Sequence, residues 1–211
     1  MEFDVAVVGA GPAGSVSARE IAAAGYKVLL LEEHEVIGHP VLCSGLITPR
    51  TLEATGLGDD IVVNSIKGAV VFTPKGNRIT VGGNRTHALV IDRARMDEGL
   101  AQQAQEAGAV LALGCRLTGM QVNADGVRLT LQRSSYRPEQ TIDVRLVIGA
   151  DGAHSTVSKT MGSGSIEETI VAVGGEIAMQ PQREDMVEVY VQPDLAPGWF
   201  GWTIPLGADV S

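Results

Sequence analysis

The sequence predicts an α/β fold built on a parallel sheet, followed by a β-rich part. Two short aliphatic runs, at 3–8 and 27–32, are typical of buried parallel strands. A glycine-rich turn and an alanine-rich helical stretch that Gly25 ends lie between them, so these residues form a βαβ unit. After about residue 162 the helical pattern gives way to β segments near 169–179 and 186–191.

Short elements are predicted between these two parts. Thr48 and Pro49 begin a short helix, with the threonine as its N-cap, and residues 66–82 form a β-hairpin. A second helix runs from about Arg95 to Ala107. The strands predicted after it are 110–113, 119–123, 127–133 and 144–149. We expect a nucleotide-binding domain at 1–64 and 86–162 and a partial β-rich domain at 65–85 and 163–211.

The composition excludes several classes of function. With 16 basic and 25 acidic residues the net charge is −9, which excludes the basic footprint of a nucleic-acid-binding protein. No apolar run reaches the roughly 18 residues of a membrane span, and the acidic N-terminus is unlike a signal peptide. We therefore expect a cytoplasmic protein without a transmembrane segment, for which peripheral membrane contact stays open. The histidines lack metal-ligand spacing, so no metal is expected.

Gly9, Gly11 and Gly14 form a G-x-G-x-x-G turn directly after the first strand and at the start of a helix, which is the context of a dinucleotide-binding turn. In a Rossmann-like unit the first glycine allows the tight turn, the second lets a pyrophosphate approach, and the third lets helix and sheet pack closely. Pro12 and Ala13 lie in the same turn, where the helix dipole favours negative charge.

Two adjacent carboxylates lie where the second strand ends, and the first of them is its last residue. Glu32 stands 18 residues after Gly14, where a carboxylate accepts hydrogen bonds from both ribose hydroxyls and repels a 2′-phosphate, so NADP is disfavoured at this site. Glu33 is adjacent and is included in the predicted cofactor site, although neighbours in a strand face opposite sides and make no acid–base pair. This pattern alone does not decide whether the bound dinucleotide carries a flavin or a nicotinamide.

Three strings together resemble the FAD-dependent hydroxylase and reductase superfamily: GAGPAG at 9–14, LVIDRARMDEGLAQQAQEAGA at 89–109 and LVIGADGAHSTV at 146–157. The resemblance implies FAD as the cofactor. It implies that Asp151 and Gly152 lie near the pyrophosphate, and that Arg93, which opens the second helix in the pattern R-x-x-M-D, contacts the cofactor. It also implies that Leu117, at the end of the next strand, lines the adenine.

Residues 37–50, IGHPVLCSGLITPR, resemble a loop of the geranylgeranyl reductase family in which a cysteine and the residues after it lie against the flavin. The positions that match are Cys43, Ser44, Gly45 and Leu46. Gly45 would let the backbone approach a flat ring. Cys43 is the candidate catalytic residue, whose thiol would tune or gate the flavin or relay a proton. The alternative is that Cys43 is a small buried hydrophobic residue.

A second segment, PGWFGWTIPLG at 197–207, is similar to the Y-x-W-x-F-P motif of the same family, which implies that it lines a tunnel for a polyprenyl chain. Its candidate substrate-contacting residues are Trp199, Phe200, Trp202, Ile204 and Pro205. Phe200 replaces the tyrosine, which keeps an apolar wall and removes a phenol. Packing in a hydrophobic core is the alternative interpretation of this aromatic cluster.

The resemblance implies an FAD-dependent reductase of isoprenoid C=C bonds, in geranylgeranyl chains of membrane lipids or a related prenyl group, by hydride transfer from reduced flavin. The implied partners are a prenyl lipid and an electron-donor protein, with NAD(P)H, ferredoxin and a deazaflavin open as reductants. Two alternatives stay open: a flavin-dependent monooxygenase on the same scaffold, and a non-catalytic nucleotide-binding fragment.

A further motif of the superfamily, G-D-A-A, is expected beyond the β-rich part, where it holds the ribityl and phosphate end of the flavin. No such string follows Asp151. We therefore expect that the chain is truncated at its C-terminus and retains FAD weakly or incompletely.

Overall fold

A computed structural model describes residues 2–41, 43–133, 138–164 and 166–207. The helices are α1 (Pro12–Ala23), α2 (Pro49–Thr55), α3 (Arg93–Glu106) and α4 (Thr156–Met161), with a 3₁₀ turn at Asp59–Ile61. The strands are β1 (Phe3–Val8), β2 (Val28–Leu31), β3 (Leu46–Ile47), β4 (Val62–Ile66), β5 (Gly68–Phe72), β6 (Arg78–Gly82), β7 (Ala88–Ile91), β8 (Val110–Ala112), β9 (Arg116–Asn123), β10 (Gly126–Gln132), β11 (Gln140–Gly149), β12 (Met186–Tyr190) and β13 (Gly201–Thr203).

The chain divides into two compact units, one comprising Met1–Pro40 and Ala94–Glu167, the other Val41–Arg93 and Glu168–Ser211. This division differs from the predicted domains, because residues 41–64 and 86–93 cluster with the β-rich unit. The physical reason is strand pairing: β7 pairs with β3 and β4, and Val90 of β7 packs with Val187 and Ile204 from the C-terminal part of the chain.

The first unit is a six-stranded sheet in the order β8-β2-β1-β11-β10-β9. The first four strands run parallel, and β10 and β9 add an antiparallel edge. On one face, small residues of α1 and α3 pack against Val7 and Leu30, since alanine lets a helix lie close to a sheet. On the other face, Leu31 packs with Leu129 and Val144. The predicted α/β fold with a parallel sheet is confirmed.

The second unit contains two sheets, one in the order β13-β12-β5-β6 and one in the order β3-β7-β4. The hairpin predicted at 66–82 is confirmed as the antiparallel pair β5 and β6. Strand β12 joins β5 in parallel, and Ile66, Val90, Val187 and Ile204 form the core of the unit. Thr48 caps α2 as predicted, since its side chain accepts a hydrogen bond from the Thr51 amide.

One predicted strand is wrong. Residues 166–181 form no helix or strand, although 169–179 carries an apolar alternation that predicts one. Val171 and Val173 are almost fully exposed, at 88% and 92%, and no strand in the described ranges pairs with this segment. A strand is stable only when its backbone groups are paired and one face is buried, and this segment has neither.

The strand predicted at 144–149 is longer and less buried than expected. β11 begins at Gln140, and Leu146 within it is 55% exposed. None of the described helices combines the length and the apolar character needed to cross a lipid bilayer.

Candidate cofactor-binding site

The glycine turn of the first unit is shaped by close backbone packing. Gly9 follows β1 with φ +97°, and a Cβ atom there would lie 2.4 Å from the carbonyl oxygen of Ala150. A Cβ atom on Gly14 would lie only 1.8 Å from the carbonyl oxygen of Gly9. Both positions therefore exclude every side chain, and the turn holds α1 tightly against the ends of β1 and β11.

Gly11 has a different role from Gly9 and Gly14. Its backbone is extended, with φ −70° and ψ −176°, and no described atom lies within 4 Å of a Cβ built on it. In the described part of the chain no side chain caps the N-terminus of α1, which Pro12 and Ala13 open. Free space beside a helix N-terminus that no side chain caps fits the pyrophosphate of a dinucleotide.

Glu32 lies directly after β2 and links that strand to the glycine turn. Its Oε2 atom accepts a hydrogen bond of 2.9 Å from the Ala10 amide. Its Oε1 atom accepts one of 3.0 Å from the His34 amide and lies 2.6 Å from Nδ1 of the His34 ring. The Glu32 side chain is 13% exposed, so the structure places a largely buried carboxylate beside the predicted phosphate cradle.

The pKa of the Glu32 carboxyl is held below its ordinary value of 4.5. Burial alone would raise the pKa, because it disfavours the charged form. The hydrogen bonds from the His34 amide, the Ala10 amide and the His34 ring outweigh burial and favour the carboxylate. Glu32 is therefore ionised at neutral pH.

We expect Glu32→Gln to lower the free energy of unfolding by about 1–3 kcal/mol at neutral pH, because an amide nitrogen replaces an acceptor that faces N–H donors. Since folding lowers the Glu32 pKa, its stabilisation is complete above the unfolded value near 4.5 and is lost as pH falls through the folded value. Urea unfolding at a series of pH values measures this difference. A difference that stays constant into the acidic range would contradict it.

Glu33→Gln is the matched control for that experiment. Glu33 is 55% exposed in its side chain and lies 3.7 Å from the Arg116 guanidinium, and exposed ion pairs contribute little. We expect no measurable change in unfolding for this variant. The exposure of Glu33 also shows that the two adjacent carboxylates occupy different environments.

Leu117 is not where the sequence analysis predicted it. The strand after α3 is β8, which ends at Ala112, whereas Leu117 is the second residue of β9. Its side chain is 4% exposed and packs with Leu129 and Leu131 in the core. The prediction that Leu117 ends the strand after α3 is therefore wrong. Gly114 turns the chain after β8, and a new strand, β9, begins at Arg116.

The segment after β11 lies beside the glycine turn, since the Ala150 amide donates to the Val8 carbonyl at 2.8 Å. Asp151 follows and contacts the first turn of α4, whose N-cap is Ser155. Its carboxylate accepts hydrogen bonds from the Ser155 hydroxyl at 2.6 Å and from the Thr156 amide at 2.7 Å. Gly152 has φ +70°, and no described atom lies within 4 Å of a Cβ built there. The structure thus brings the first and last predicted cofactor strings together.

In the second unit, Cys43 and Ser44 are exposed, and Leu42 of the same predicted loop lies outside the described residues. Gly45 is buried with φ +70°, and a Cβ there would lie 2.4 Å from the Ile91 carbonyl oxygen. The carbonyl of Gly45 accepts from the Ile91 amide at 3.0 Å. Close approach to Ile91 therefore already requires glycine at this position. The predicted contact of this loop with a flavin stays a prediction.

The aromatic segment of the second unit divides into an exposed part and a buried part. The rings of Trp199 and Phe200 stack with centroids 4.9 Å apart and are 50% and 37% exposed. Trp202 and Ile204 instead pack in the core cluster, and Pro205 is fully buried. Packing in a hydrophobic core therefore describes Trp202, Ile204 and Pro205, whereas Trp199 and Phe200 form an exposed apolar surface.

Leu46 packs against the same cluster as Trp202 and Ile204. The two sequence segments that carry the resemblance to geranylgeranyl reductases thus meet in one core, although about 150 residues separate them in the chain. Arg93 is the first residue of α3, as predicted. Its cofactor contact stays a prediction.

His34 is the site residue that the sequence analysis missed. Its signal was local, because a histidine two residues after a strand-terminal glutamate is within reach of that carboxylate. Among the described residues, no group of three or more His, Cys, Asp or Glu side chains is arranged to hold a metal ion.

Comparison with known proteins gives a consistent set of relatives. A family model described as FAD binding domain matches residues 2–196. A digeranylgeranylglycerophospholipid reductase from Methanococcus vannielii is 34% identical over 99% of this chain and 54% of its own length. The chain thus spans about half the length of the curated relatives it matches.

Two solved structures extend this comparison. The geranylgeranyl bacteriochlorophyll reductase-like protein from Thermoplasma acidophilum is 26% identical with a TM-score of 0.81, over 99% of this chain and 54% of that one. The anhydrotetracycline hydroxylase OxyS from Streptomyces rimosus is 29% identical with a TM-score of 0.60, over 77% of this chain and 34% of that one.

Proposed function

This chain belongs to the FAD binding domain family, and from that premise we propose that it acts in an FAD-dependent reductase of isoprenoid C=C bonds. The family match confirms FAD as the predicted cofactor. The observation that carries the reductase proposal is the similarity over 99% of the chain to a digeranylgeranylglycerophospholipid reductase. The predicted resemblance to geranylgeranyl reductases agrees with it.

We assign the binding of FAD to the first unit. Gly11 leaves room for the pyrophosphate beside the N-terminus of α1, and Gly9 and Gly14 hold that helix in place. Glu32 offers its carboxylate to the adenosine ribose, and the segment at Asp151 and Gly152 lies beside the same turn. When bound and reduced, the flavin would supply the hydride for the alkene, and another group or water would supply the proton, so the role of the protein is to bind, orient and shield the reactants.

We assign the prenyl substrate to the second unit. The stacked and partly exposed rings of Trp199 and Phe200 offer an apolar surface of the kind that binds a hydrocarbon chain. Trp202, Ile204 and Pro205 support that surface from the core. The substrate is a geranylgeranyl chain of a membrane lipid or a related prenyl group.

A lipid substrate extends this proposal to the cellular setting of the protein. We propose a cytoplasmic enzyme that contacts the membrane surface peripherally to reach its substrate. The reductant is NAD(P)H, ferredoxin or a deazaflavin, and the last two would require an electron-donor protein or a diffusing carrier.

Reduction of a prenyl lipid tests the proposal directly. The chain, supplied with excess FAD and dithionite, is incubated with a geranylgeranyl glycerophospholipid, and the lipid is analysed by mass spectrometry. We expect a mass gain of one H₂ for each reduced double bond. Trp199→Ala with Phe200→Ala should reduce the rate while FAD absorbance is retained. FAD binding without any mass gain would favour the non-catalytic nucleotide-binding alternative.

A flavin-dependent monooxygenase is the second candidate, and the likeness to the hydroxylase OxyS favours it. That relative covers less of this chain, at 77%, than the reductase relatives do. Oxygen consumption coupled to a hydroxylated aromatic product, with no change in the prenyl lipid, would establish the monooxygenase and overturn the reductase.

A further inference from the structure

We propose that the His34 ring competes with the adenosine ribose of the cofactor for the Glu32 carboxylate, and so sets the nucleotide affinity of this site. The proposal rests on the proposed binding of FAD by the first unit. It follows from the hydrogen bonds that Glu32 already accepts and from the difference in how firmly their donors are held.

The acceptor capacity of Glu32 is almost filled. An ionised carboxylate has about four lone-pair sites, two on each oxygen. Oε1 accepts from the His34 amide at 3.0 Å and lies 2.6 Å from the ring Nδ1, which must donate because an ionised carboxylate only accepts. Oε2 accepts from the Ala10 amide at 2.9 Å. Within the described residues one site therefore stays open, whereas two ribose hydroxyls need two.

The ring is the donor that is displaced most easily. The Ala10 amide belongs to the glycine turn. The His34 backbone is fixed because its carbonyl accepts from the Gly114 amide at 3.0 Å, and the Cys115 amide donates to the Glu32 carbonyl at 2.7 Å. The His34 side chain is 50% exposed, so rotation into water leaves no buried polar group without a partner. A ribose that uses both carboxylate oxygens therefore takes the place of the ring.

The test uses ADP and its 2′-deoxy and 3′-deoxy analogues as probes, with isothermal titration of the 211-residue chain and of His34→Ala. We expect His34→Ala to bind ADP about three- to tenfold more tightly than the original chain, the range for loss of one charge-assisted hydrogen bond at a half-exposed site. The gain should be absent for both deoxy analogues, because each keeps one hydroxyl and one acceptor site of Glu32 is already open.

The controls separate the possible failures. His87→Ala, at an exposed histidine of the second unit, should change no affinity, and a thermal melt of each variant checks that the fold is retained. Equal ADP affinity in the original chain and His34→Ala, or weaker binding by the variant, would overturn the competition. A gain of equal size with ADP and both deoxy analogues would also overturn it. If neither protein binds ADP or FAD, the proposed cofactor site itself is wrong and this inference falls with it.

Discussion

Gly14→Ala is expected to lower the free energy of unfolding by about 3 kcal/mol or more, because the added methyl group has no space. Its Cβ would lie 1.8 Å from the Gly9 carbonyl oxygen and 3.2 Å from the Ala150 Cβ. Both neighbours belong to the tightly packed turn, so α1 must move away from the sheet. Chemical denaturation measures the loss of stability, and FAD titration should show that binding is lost with it.

Gly11→Ala is the matched control, three residues earlier in the same turn. The backbone of Gly11 suits alanine, and the added methyl group meets no described atom. We expect the stability to be unchanged or to rise by about 0.4–1 kcal/mol, because alanine restricts the unfolded chain. FAD affinity should nevertheless fall, since the methyl group occupies the space assigned to the pyrophosphate. Equal stability losses in the two variants would contradict the different roles of these glycines.

Gly45→Ala is expected to destabilise the second unit by about 2–4 kcal/mol, from unfavourable left-handed backbone and from overlap with the chain opposite. Gly45 has φ +70°, and the added Cβ would lie 2.4 Å from the Ile91 carbonyl oxygen. That overlap would break the hydrogen bond between the Ile91 amide and Gly45 and shift β3 away from β7. Urea unfolding followed by tryptophan fluorescence reports on this unit, since both tryptophans lie in it.

Gly76→Ala separates the two causes of that loss. Gly76 has φ +78°, and no described atom lies within 4 Å of a Cβ built on it. We expect a loss of about 1–2 kcal/mol, which is the cost of the left-handed backbone alone. If Gly45→Ala were no more destabilising than Gly76→Ala while FAD binding failed, contact with a flavin rather than with Ile91 would explain the glycine.

The elements that the sequence predicted well are those whose signals are local. The unit from β1 through the glycine turn and α1 to β2 was predicted closely, because a buried strand, a helix terminus and a second buried strand each have short-range patterns. The hairpin of β5 and β6 and the cap at Thr48 were predicted for the same reason. Gly45 was also identified as a position where the backbone needs glycine. The structure gives a different reason from the predicted flavin contact, because the Ile91 carbonyl lies too close for a side chain and the sequence does not reveal this approach.

The remaining features depend on distant parts of the chain. The apolar alternation at 169–179 has the local pattern of a strand, but a strand needs a partner, and the described residues provide none. The core position of Leu117 results from packing against Leu129 and Leu131 of the next strand. Glu32 lies at the end of β2, where the sequence placed it, and its contact with the ribose stays a prediction. Its partner Ala10 emerged only when the turn and the strand end were placed together, whereas the partner His34 is local and was missed in the sequence.

The parallel pairing of β5 with β12 joins two strands that lie more than a hundred residues apart in the chain. Gly68 pairs with Met186 and Phe72 with Tyr190, so a nascent chain carries β5 long before its neighbour leaves the ribosome. During that interval β6 covers one edge of β5, and the other edge offers unpaired amide and carbonyl groups to any passing strand. A chain that ends before β12 would therefore keep this edge of β5 unpaired, which is the kind of edge that favours aggregation.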